Sequence, residues 1–273
     1  MTLVIATKAD GKIRIQTDTK MSFPEDYYPD EDDPNSIENK LGLKIRIADS
    51  RRFAIAFAGD PSFFAPAALE MNKETCVTKL KQTILKHHQA SANEQKVFAT
   101  DFILGCAEPV KLFRFKTGGC IEIDRLTHIG NTEAFNDILG KQNDIAYHNS
   151  TKSLSDRLKE KYDIDYQNSA TKFGKIYDQF NELINTSQCK GVGGILLKVE
   201  TYEGSFCFSQ YSSVACSGEN SFSEMISVRP INDGQSCRIC FAESKRCIEY
   251  EPAPDGHLIP ISKDWGPEDN QYI

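Results

Sequence analysis

Apolar and β-branched residues fill two short runs at the beginning of the chain, Leu3–Thr7 and Lys12–Thr17. Asp10 and Gly11 lie between them. Asp-Gly between two apolar runs favours a type I′ turn, because both of its central residues must tolerate positive φ. The pattern therefore predicts a β-hairpin that holds the start of the chain inside a sheet.

Similar short runs recur along the chain and predict further strands, with Gly, Pro or acidic turns between many of them. These strands are Leu43–Ala48, Arg52–Ala58, Lys96–Cys106, Lys111–Phe115, Cys120–Thr127, Gly194–Glu200 and Ser205–Tyr211. Helices are predicted at Phe63–Met71, Thr75–His88, Thr132–Leu139, Ser153–Tyr162 and along an apolar stripe from Phe173 to Ile184. This order predicts an α+β fold in which two stacked antiparallel sheets are covered by helices on both outer faces.

The last part of the chain has a different pattern, with three short predicted strands and a Pro-rich end. The strands are Ile226–Pro230, Ser236–Ala242 and Cys247–Tyr250. We therefore assign residues 1–212 to one domain and residues 213–273 to a C-terminal extension that packs on it.

An acidic segment rich in proline, residues 23–34, interrupts the first domain. Runs of like charge usually face water, so a solvated insertion is the simpler interpretation. The alternative is an acidic rim beside a cleft, which repels acidic substrates and attracts basic ones.

Composition restricts the class of protein. The chain has 273 residues, 26% of them charged and 40% hydrophobic, with a net charge of −7. This negative balance argues against a nucleic-acid partner. No apolar run has the length of a membrane span, and no signal peptide precedes the first strand. Nine scattered cysteines, an odd number, fit reduced thiols in a cytoplasmic protein.

Three of these cysteines invite a zinc interpretation, since Cys237, Cys240 and Cys247 lie close together in the sequence. A structural zinc site needs four ligands, and the sequence offers no fourth at a suitable spacing. Alternate positions of a strand explain the pattern more simply. The sequence thus predicts no metal and no cofactor.

The chemistry of the second residue stands out. Thr2 has a small side chain, which permits removal of Met1, and it would then carry a hydroxyl nucleophile and a free α-amine on one residue. Such an amine can act as the general base for its own hydroxyl.

With these residues the sequence resembles the proteasome β-type and bacterial proteasome-like peptidases of the N-terminal-nucleophile hydrolases. The resemblance covers roughly residues 2–212 and depends on the order of several short motifs. They are Thr2-Leu-Val-Ile, Asp10-Gly11, Thr17-Asp18-Thr19, Lys44-Ile-Arg-Ile, Ile55-Ala-Phe-Ala-Gly59, the hairpin from Phe102 to Gly119, Ile129-Gly130-Asn131 and Gly193-Gly194.

The resemblance implies a four-layer αββα sandwich and a set of catalytic residues. Thr2 would be the nucleophile, Lys44 would stabilise negative charge on its Oγ, and Asp18 would hold Lys44 in place. Asn131 stands where the family has a supporting serine.

The resemblance also implies a second group of residues, which would bind substrate or the oxyanion. Backbone N–H groups near Ala56, Ala58 and Gly59 would form the oxyanion hole, and Ser22 would contribute to substrate binding. Peptides or unfolded proteins would be the substrates. The chains would assemble into a ring or another homo-oligomer, to which an ATP-dependent unfoldase could dock.

Two departures from the family pattern keep alternatives open. Cys189 and Val192 stand where the family has a supporting aspartate and serine. The first hypothesis is a threonine peptidase that forms an acyl-enzyme on Thr2. The first alternative is a catalytically inactive proteasome-like scaffold or binding subunit, and the second is the same nucleophile acting on a small amide.

Overall fold

The computed structural model describes residues 2–20, 42–94, 99–143, 179–181, 183–184, 192–217, 222–252 and 258–272. The strands are Leu3–Ala9 (β1), Lys12–Asp18 (β2), Ile45–Ile47 (β3), Phe53–Ala58 (β4), Asp101–Cys106 (β5), Lys111–Lys116 (β6), Gly119–Ile123 (β7), Leu126–Gly130 (β8), Leu196–Tyr202 (β9), Ser205–Phe208 (β10), Tyr211–Ser217 (β11), Phe222–Ile231 (β12), Ser236–Phe241 (β13), Arg246–Pro252 (β14) and Leu258–Asp264 (β15). The helices are Pro61–Lys73 (α1), Val77–Glu94 (α2) and Thr132–Asn143 (α3), with short 3₁₀ segments at Asn232–Gly234 and Pro267–Tyr272.

The described strands form three antiparallel sheets, in a fold of mixed α/β content. The first sheet has the order β10-β9-β2-β1-β8, the second β3-β4-β5-β6-β7 and the third β11-β12-β13-β14-β15. The predicted first hairpin is confirmed: β1 pairs with β2, and Asp10 and Gly11 have φ of 52° and 69°. The positive φ of both residues is what the Asp-Gly turn requires.

The first and second sheets pack face to face. Gly105 of β5 lies directly under Phe206 of β10, since a Cβ at Gly105 would be 2.6 Å from the Phe206 Cζ. Alanines 54, 56 and 58 of β4 belong to the core between these sheets. Small residues here allow the two backbones to approach closely.

The opposite face of the second sheet packs against α1 and α2. Phe57 of β4 stacks on Phe64 of α1 with ring centroids 4.2 Å apart. Leu80 and Ile84 of α2 are buried in the same cluster. Helix α3 contacts β1 and β8 of the first sheet. Residues 179–181, 183 and 184, within the predicted Phe173–Ile184 stripe, are helical, and Phe180, Leu183 and Ile184 are buried.

Three sequence predictions differ from the structure. The predicted strand Cys120–Thr127 is wrong, because the chain bends at Asp124 and Arg125 and divides into β7 of the second sheet and β8 of the first. The predicted strand Ser205–Tyr211 likewise ends at Phe208, and Tyr211 begins the third sheet. Among the described residues, the third sheet has five strands from Tyr211 onwards, whereas the sequence predicts three in this part of the chain.

The unpredicted β15 is an edge strand that pairs only with β14 among the described strands. It contains Pro260, and an edge strand tolerates proline because one of its sides needs no N–H donor. The acidic segment 23–34 and the predicted helix Ser153–Tyr162 lie outside the described residues.

Candidate active site

The head of β1 is fixed by its neighbours on both sides. Thr2 precedes β1, and its carbonyl oxygen accepts a hydrogen bond of 2.8 Å from the backbone N–H of Asn131, at the end of β8. The backbone N–H of Leu3 donates to Asp18 Oδ1 at 3.0 Å. Thr2 itself is only 9% exposed. Thr2 and Leu3 therefore have a defined position at one end of the first sheet.

Asp18, the last residue of β2, collects three donors on one buried carboxylate. Besides Leu3, the backbone N–H of Gly193 donates to Oδ2 at 3.3 Å, and Lys44 Nζ donates to the same oxygen at 3.0 Å. Asp18 is 0% exposed. Its carboxylate connects the start of β1, the approach to β9 and the lysine before β3.

Lys44 is the second member of this ion pair and is 1% exposed. Its Nζ also donates to the carbonyl oxygen of Lys20. Its own carbonyl oxygen accepts the N–H of Phe57 in β4 at 3.2 Å. The lysine is thereby attached to both sheets, with its ammonium directed at Asp18.

Burial brings the pKa values of Asp18 and Lys44 closer together. Burial raises the pKa of Asp18 above 3.8, against the attraction of Lys44 and the donors Leu3 and Gly193. Burial likewise lowers the pKa of Lys44 below 10.5, against the attraction of Asp18. Desolvation disfavours the charged form of each group. The Lys44 proton is therefore held less tightly than that of an exposed lysine.

Asn131 lies beside Thr2, but its side chain is engaged in the helix. Its Oδ1 accepts the N–H of Ala134 at 3.0 Å, so Asn131 is the N-cap of α3. The backbone N–H of Asn131 donates a hydrogen bond to the carbonyl oxygen of Thr2. The contact of Asn131 with Thr2 therefore runs through its main chain.

The residues predicted for the oxyanion hole differ in the direction of their N–H groups. Phe57 donates to Lys44, so alternation along the antiparallel ladder directs the N–H groups of Ala56 and Ala58 towards β5, where they oppose Ile103 and Asp101. Gly59 follows the last residue of β4. Of the three residues, Gly59 has the N–H that lies beyond the ladder.

The turn at Gly59 is supported by Thr100, a residue that the sequence did not indicate. A Cβ at Gly59, whose φ is +136°, would lie 2.7 Å from the Thr100 Cα. Thr100 Oγ1 accepts the N–H of Asp60 at 2.9 Å. His88 Nδ1 lies 2.8 Å from the Thr100 carbonyl oxygen. Helix α2 thus supports this turn from behind.

Other predicted positions divide into two groups. Val192 is buried and offers no polar side-chain group at the position where the resemblance implies a supporting serine. Ser22 and Cys189 lie outside the described residues. Gly193, which the sequence indicates only as part of the Gly193-Gly194 motif, supplies a backbone donor to Asp18.

Gly130 allows β8 to approach Thr2 closely. Its φ is +86°, and a Cβ there would lie 1.9 Å from the Thr2 carbonyl oxygen. Gly130→Ala is therefore expected to displace Thr2 and to reduce the hydrolysis that the resemblance implies by about 10²-fold, since small misplacements of reacting groups are costly. Steady-state hydrolysis of a peptide amide measures this loss.

Gly11→Ala is the matched control for this substitution. Gly11 also has a positive φ of +69°, but no described atom lies within 4 Å of the Cβ position. The control should lose about 1–2 kcal/mol of stability through backbone strain alone and keep full activity. Equal activity losses in both variants would contradict the proposed contact.

Asp101 introduces a pH dependence near the Gly59 turn, since it opposes Ala58 in the ladder. Burial raises the pKa of Asp101 to about 6, against the opposing charges of His88, Lys116 and Arg114. The folded state thus binds this proton more tightly than the unfolded state. Protonated Asp101 therefore contributes stability to the folded state that is fully present below pH 3.8. This contribution is lost as the pH rises through about 6.

Asp101→Asn should remove this contribution. Between pH 4 and pH 7, the wild type should lose up to about 3 kcal/mol of unfolding free energy relative to the variant. Urea unfolding at several pH values measures the difference. A difference that does not vary with pH would show that Asp101 titrates in the normal range.

Within the described ranges, one group of side chains brings potential metal ligands together: Cys240, Cys247 and Asp269 of the C-terminal part. Asp269 is distant in the sequence from the cysteines, so their spacing did not reveal it. None of the described helices is both long enough and apolar enough to cross a bilayer.

Comparison with known proteins gives structural similarities only. No family model and no curated protein matches the sequence. Similar solved structures include the Anbu (Gly-1) mutant from Hyphomicrobium sp. strain MC1, with 14% identity, a TM-score of 0.49 and coverage of 77% of this chain and 86% of that chain. Thiobacillus denitrificans BPH in complex with epoxomicin has 12% identity, a TM-score of 0.45 and coverage of 73% and 97%, respectively.

A second structure of Thiobacillus denitrificans BPH has 12% identity, a TM-score of 0.44 and the same coverage of 73% and 97%. Identities and scores this low establish neither a family nor an activity. The case for any activity therefore depends on the residues and contacts of this chain.

Proposed function

We propose that this protein is a threonine-type N-terminal-nucleophile hydrolase, a peptidase that acts through an acyl-enzyme on Thr2 after removal of Met1. The observation that carries the proposal is the buried ion pair between Lys44 and Asp18, joined to the head of β1 by the Leu3 N–H.

Such a pair is difficult to explain by stability alone. Removing a charged group from water costs roughly several kcal/mol per ion in a protein. Apolar residues of similar volume often stabilise the fold at least as much as a buried ion pair does. Buried charges with shifted pKa values cluster at functional sites. A buried lysine whose carboxylate partner also accepts the N–H of Leu3, the residue after Thr2, supports a catalytic role.

The proposed reaction begins at Thr2. Its α-amine, with an unperturbed pKa of roughly 7.7–8.0, takes the hydroxyl proton as Oγ attacks the scissile carbonyl carbon. The Lys44 ammonium favours negative charge on Oγ, and Asp18 holds the ammonium in place. The amine then returns the proton to the leaving amine, which gives an ester on Thr2.

The tetrahedral intermediate needs a donor for its oxyanion. The Gly59 N–H is the best candidate of the predicted group, because the N–H groups of Ala56 and Ala58 point into the ladder. Loss of one such donor typically reduces the rate by about 10²–10³. Water then attacks the ester, and the proton returns to Thr2 Oγ as the acid product leaves.

Two observations favour the alternative of an inactive proteasome-like scaffold or binding subunit. Val192 is apolar and buried where a supporting hydroxyl is expected. The Asn131 side chain caps α3 through its oxygen. Both observations reduce the number of polar side chains available to orient Thr2.

The finer architecture and the partners belong to the same proposal. Packing of α1 and α2 on the second sheet, and of α3 on β1 and β8, supports a four-layer αββα sandwich. We further propose a cytoplasmic homo-oligomer, in a ring or another closed form, that acts on peptides or unfolded proteins and can receive them from an ATP-dependent unfoldase.

Intact-mass measurement combined with a hydrolysis assay tests the proposal. The purified protein should lack the mass of Met1 and should release the fluorophore from a panel of peptide amides. Retained Met1 together with absent hydrolysis would support the scaffold. Hydrolysis of small amides but not of peptides would support the third possibility, a small-amide hydrolase.

A further inference from the structure

The third sheet contains a pair of buried thiols in direct contact. Cys240 of β13 and Cys247 of β14 are directly opposite each other in the antiparallel register. Their Sγ atoms lie 2.6 Å apart, and both side chains are 0% exposed. Nothing in the proposed reaction of Thr2 uses these residues.

The C-terminal 3₁₀ segment Pro267–Tyr272 covers this pair with a carboxylate. Asp269 is 0% exposed, and its Oδ1 and Oδ2 lie 3.4 Å and 3.6 Å from the sulfurs of Cys240 and Cys247. Both thiols can donate to it. The cysteines are therefore closed off from solvent by a residue near the end of the chain.

The carboxylate is already occupied by stronger donors. Arg238 Nη2 and the Gly266 N–H each lie 2.8 Å from Oδ2, and Arg229 Nη2 lies 2.8 Å from Oδ1. Two guanidinium groups at this distance repel a divalent cation. The oxygens of Asp269 have no favourable position left for a metal.

The distance between the sulfurs also disagrees with zinc. Two thiolates on a tetrahedral Zn²⁺ lie about 3.8 Å apart, given Zn–S bonds of about 2.3 Å. The observed separation of Cys240 and Cys247 is 2.6 Å. The two cysteines therefore fit a bond to each other better than a shared metal.

We propose that Cys240 and Cys247 form a reversible cross-strand disulfide by exchange with a low-molecular-weight disulfide, and that Asp269 controls their access to it. One cysteine, as a thiolate, attacks the small disulfide and releases the first small thiol. The other cysteine then attacks the mixed disulfide and releases the second. The protein loses two thiol hydrogens, and the small disulfide is reduced to two thiols.

Access should limit the rate of this exchange. Burial raises the pKa of both cysteine thiols, and the charge of Asp269 acts in the same direction. The thiolate that attacks is thus scarce while the 3₁₀ segment is closed. Opening of this segment exposes the sulfurs and also removes the carboxylate from them.

Incubation of the full-length protein with oxidised glutathione, followed by alkylation under denaturing conditions and peptide mapping, tests the proposal. We expect a linked pair of peptides that contains Cys240 and Cys247 and is two hydrogens lighter than the reduced pair. Dithiothreitol should separate the two peptides. Cys240→Ser should abolish the link.

Cys237→Ala is the matched control, because Cys237 lies on the same strand but belongs to the core on the opposite face. It should leave the link unchanged. Asp269→Asn, whose folding is verified by circular dichroism, should accelerate formation of the link at least about fivefold, since it weakens the cover and lowers the barrier to thiolate formation.

Three results would overturn the proposal. The first is complete alkylation of Cys240 and Cys247 after treatment that oxidises other cysteines. The second is stoichiometric zinc in the purified protein that protects the two thiols. The third is a rate of linking that Asp269→Asn does not change.

Discussion

Thr2→Ala should reduce peptide-amide hydrolysis by about 10³-fold or more, because it removes the only proposed nucleophile while leaving the backbone in place. The contact with the Asn131 N–H uses the Thr2 carbonyl oxygen, which alanine keeps. The variant should therefore unfold at the same urea concentration as the wild type. Initial rates with a fluorogenic peptide measure the loss.

Thr2→Ser provides the control, since it keeps both the hydroxyl and the α-amine. Its rate should stay within about tenfold of the wild type, because the same groups perform each proton transfer. Unchanged hydrolysis in Thr2→Ala would assign the activity to another group and would leave the scaffold as the better account of this fold.

Lys44→Met should have the largest effect on stability. It leaves the Asp18 carboxylate buried without its countercharge, and breaking a buried ion pair typically costs about 3–5 kcal/mol. Lys44 and Asp18 have side-chain exposures of 1% and 0%, so solvent does little to screen this loss. Urea denaturation measures the stability, and the same samples should show no hydrolysis above background.

Two further variants separate stability from catalysis. Asp18→Asn combined with Lys44→Met leaves no unpaired charge, so it should recover part of the stability but none of the activity. Arg14→Met breaks a pair with Glu200 whose side-chain exposures are 32% and 27%. That change should cost less than about 1 kcal/mol. A Lys44→Met loss no larger than the Arg14→Met loss would contradict the structural account.

The parts of the fold that depend on local pattern could be predicted. Asp10-Gly11 determines the first turn through backbone conformation alone, and the helical spacing of Leu80 and Ile84 marks the buried side of α2. The division between β7 and β8 could not be predicted in this way. No glycine or proline marks the break at Asp124 and Arg125, and the packing of the two strands into different sheets separates them.

Two residues of the candidate site could be predicted, because each lies in a motif that resembles a known family. Asp18 and Lys44 were found through resemblance, and the structure places their charged groups 3.0 Å apart. Their catalytic role stays a prediction. Gly193 and Thr100 were missed as supporting residues, since each acts through a contact with a residue distant in the sequence.

The C-terminal extension was the least predictable part. Its strand β15 contains proline, which usually indicates a loop, and its edge position explains the exception. Asp269 meets Cys240 and Cys247 only after the chain has folded back across the third sheet. No spacing rule in the sequence connects these residues.

Reaction with a peptide epoxyketone, followed by intact-mass measurement and peptide mapping, tests the central claim most directly. This reagent needs a hydroxyl to add to its ketone and a free amine on the same residue to open its epoxide. The account predicts a chain that lacks Met1 and carries one reagent molecule on Thr2, with no label in Thr2→Ala. A folded chain that keeps Met1 and remains unlabelled would contradict it.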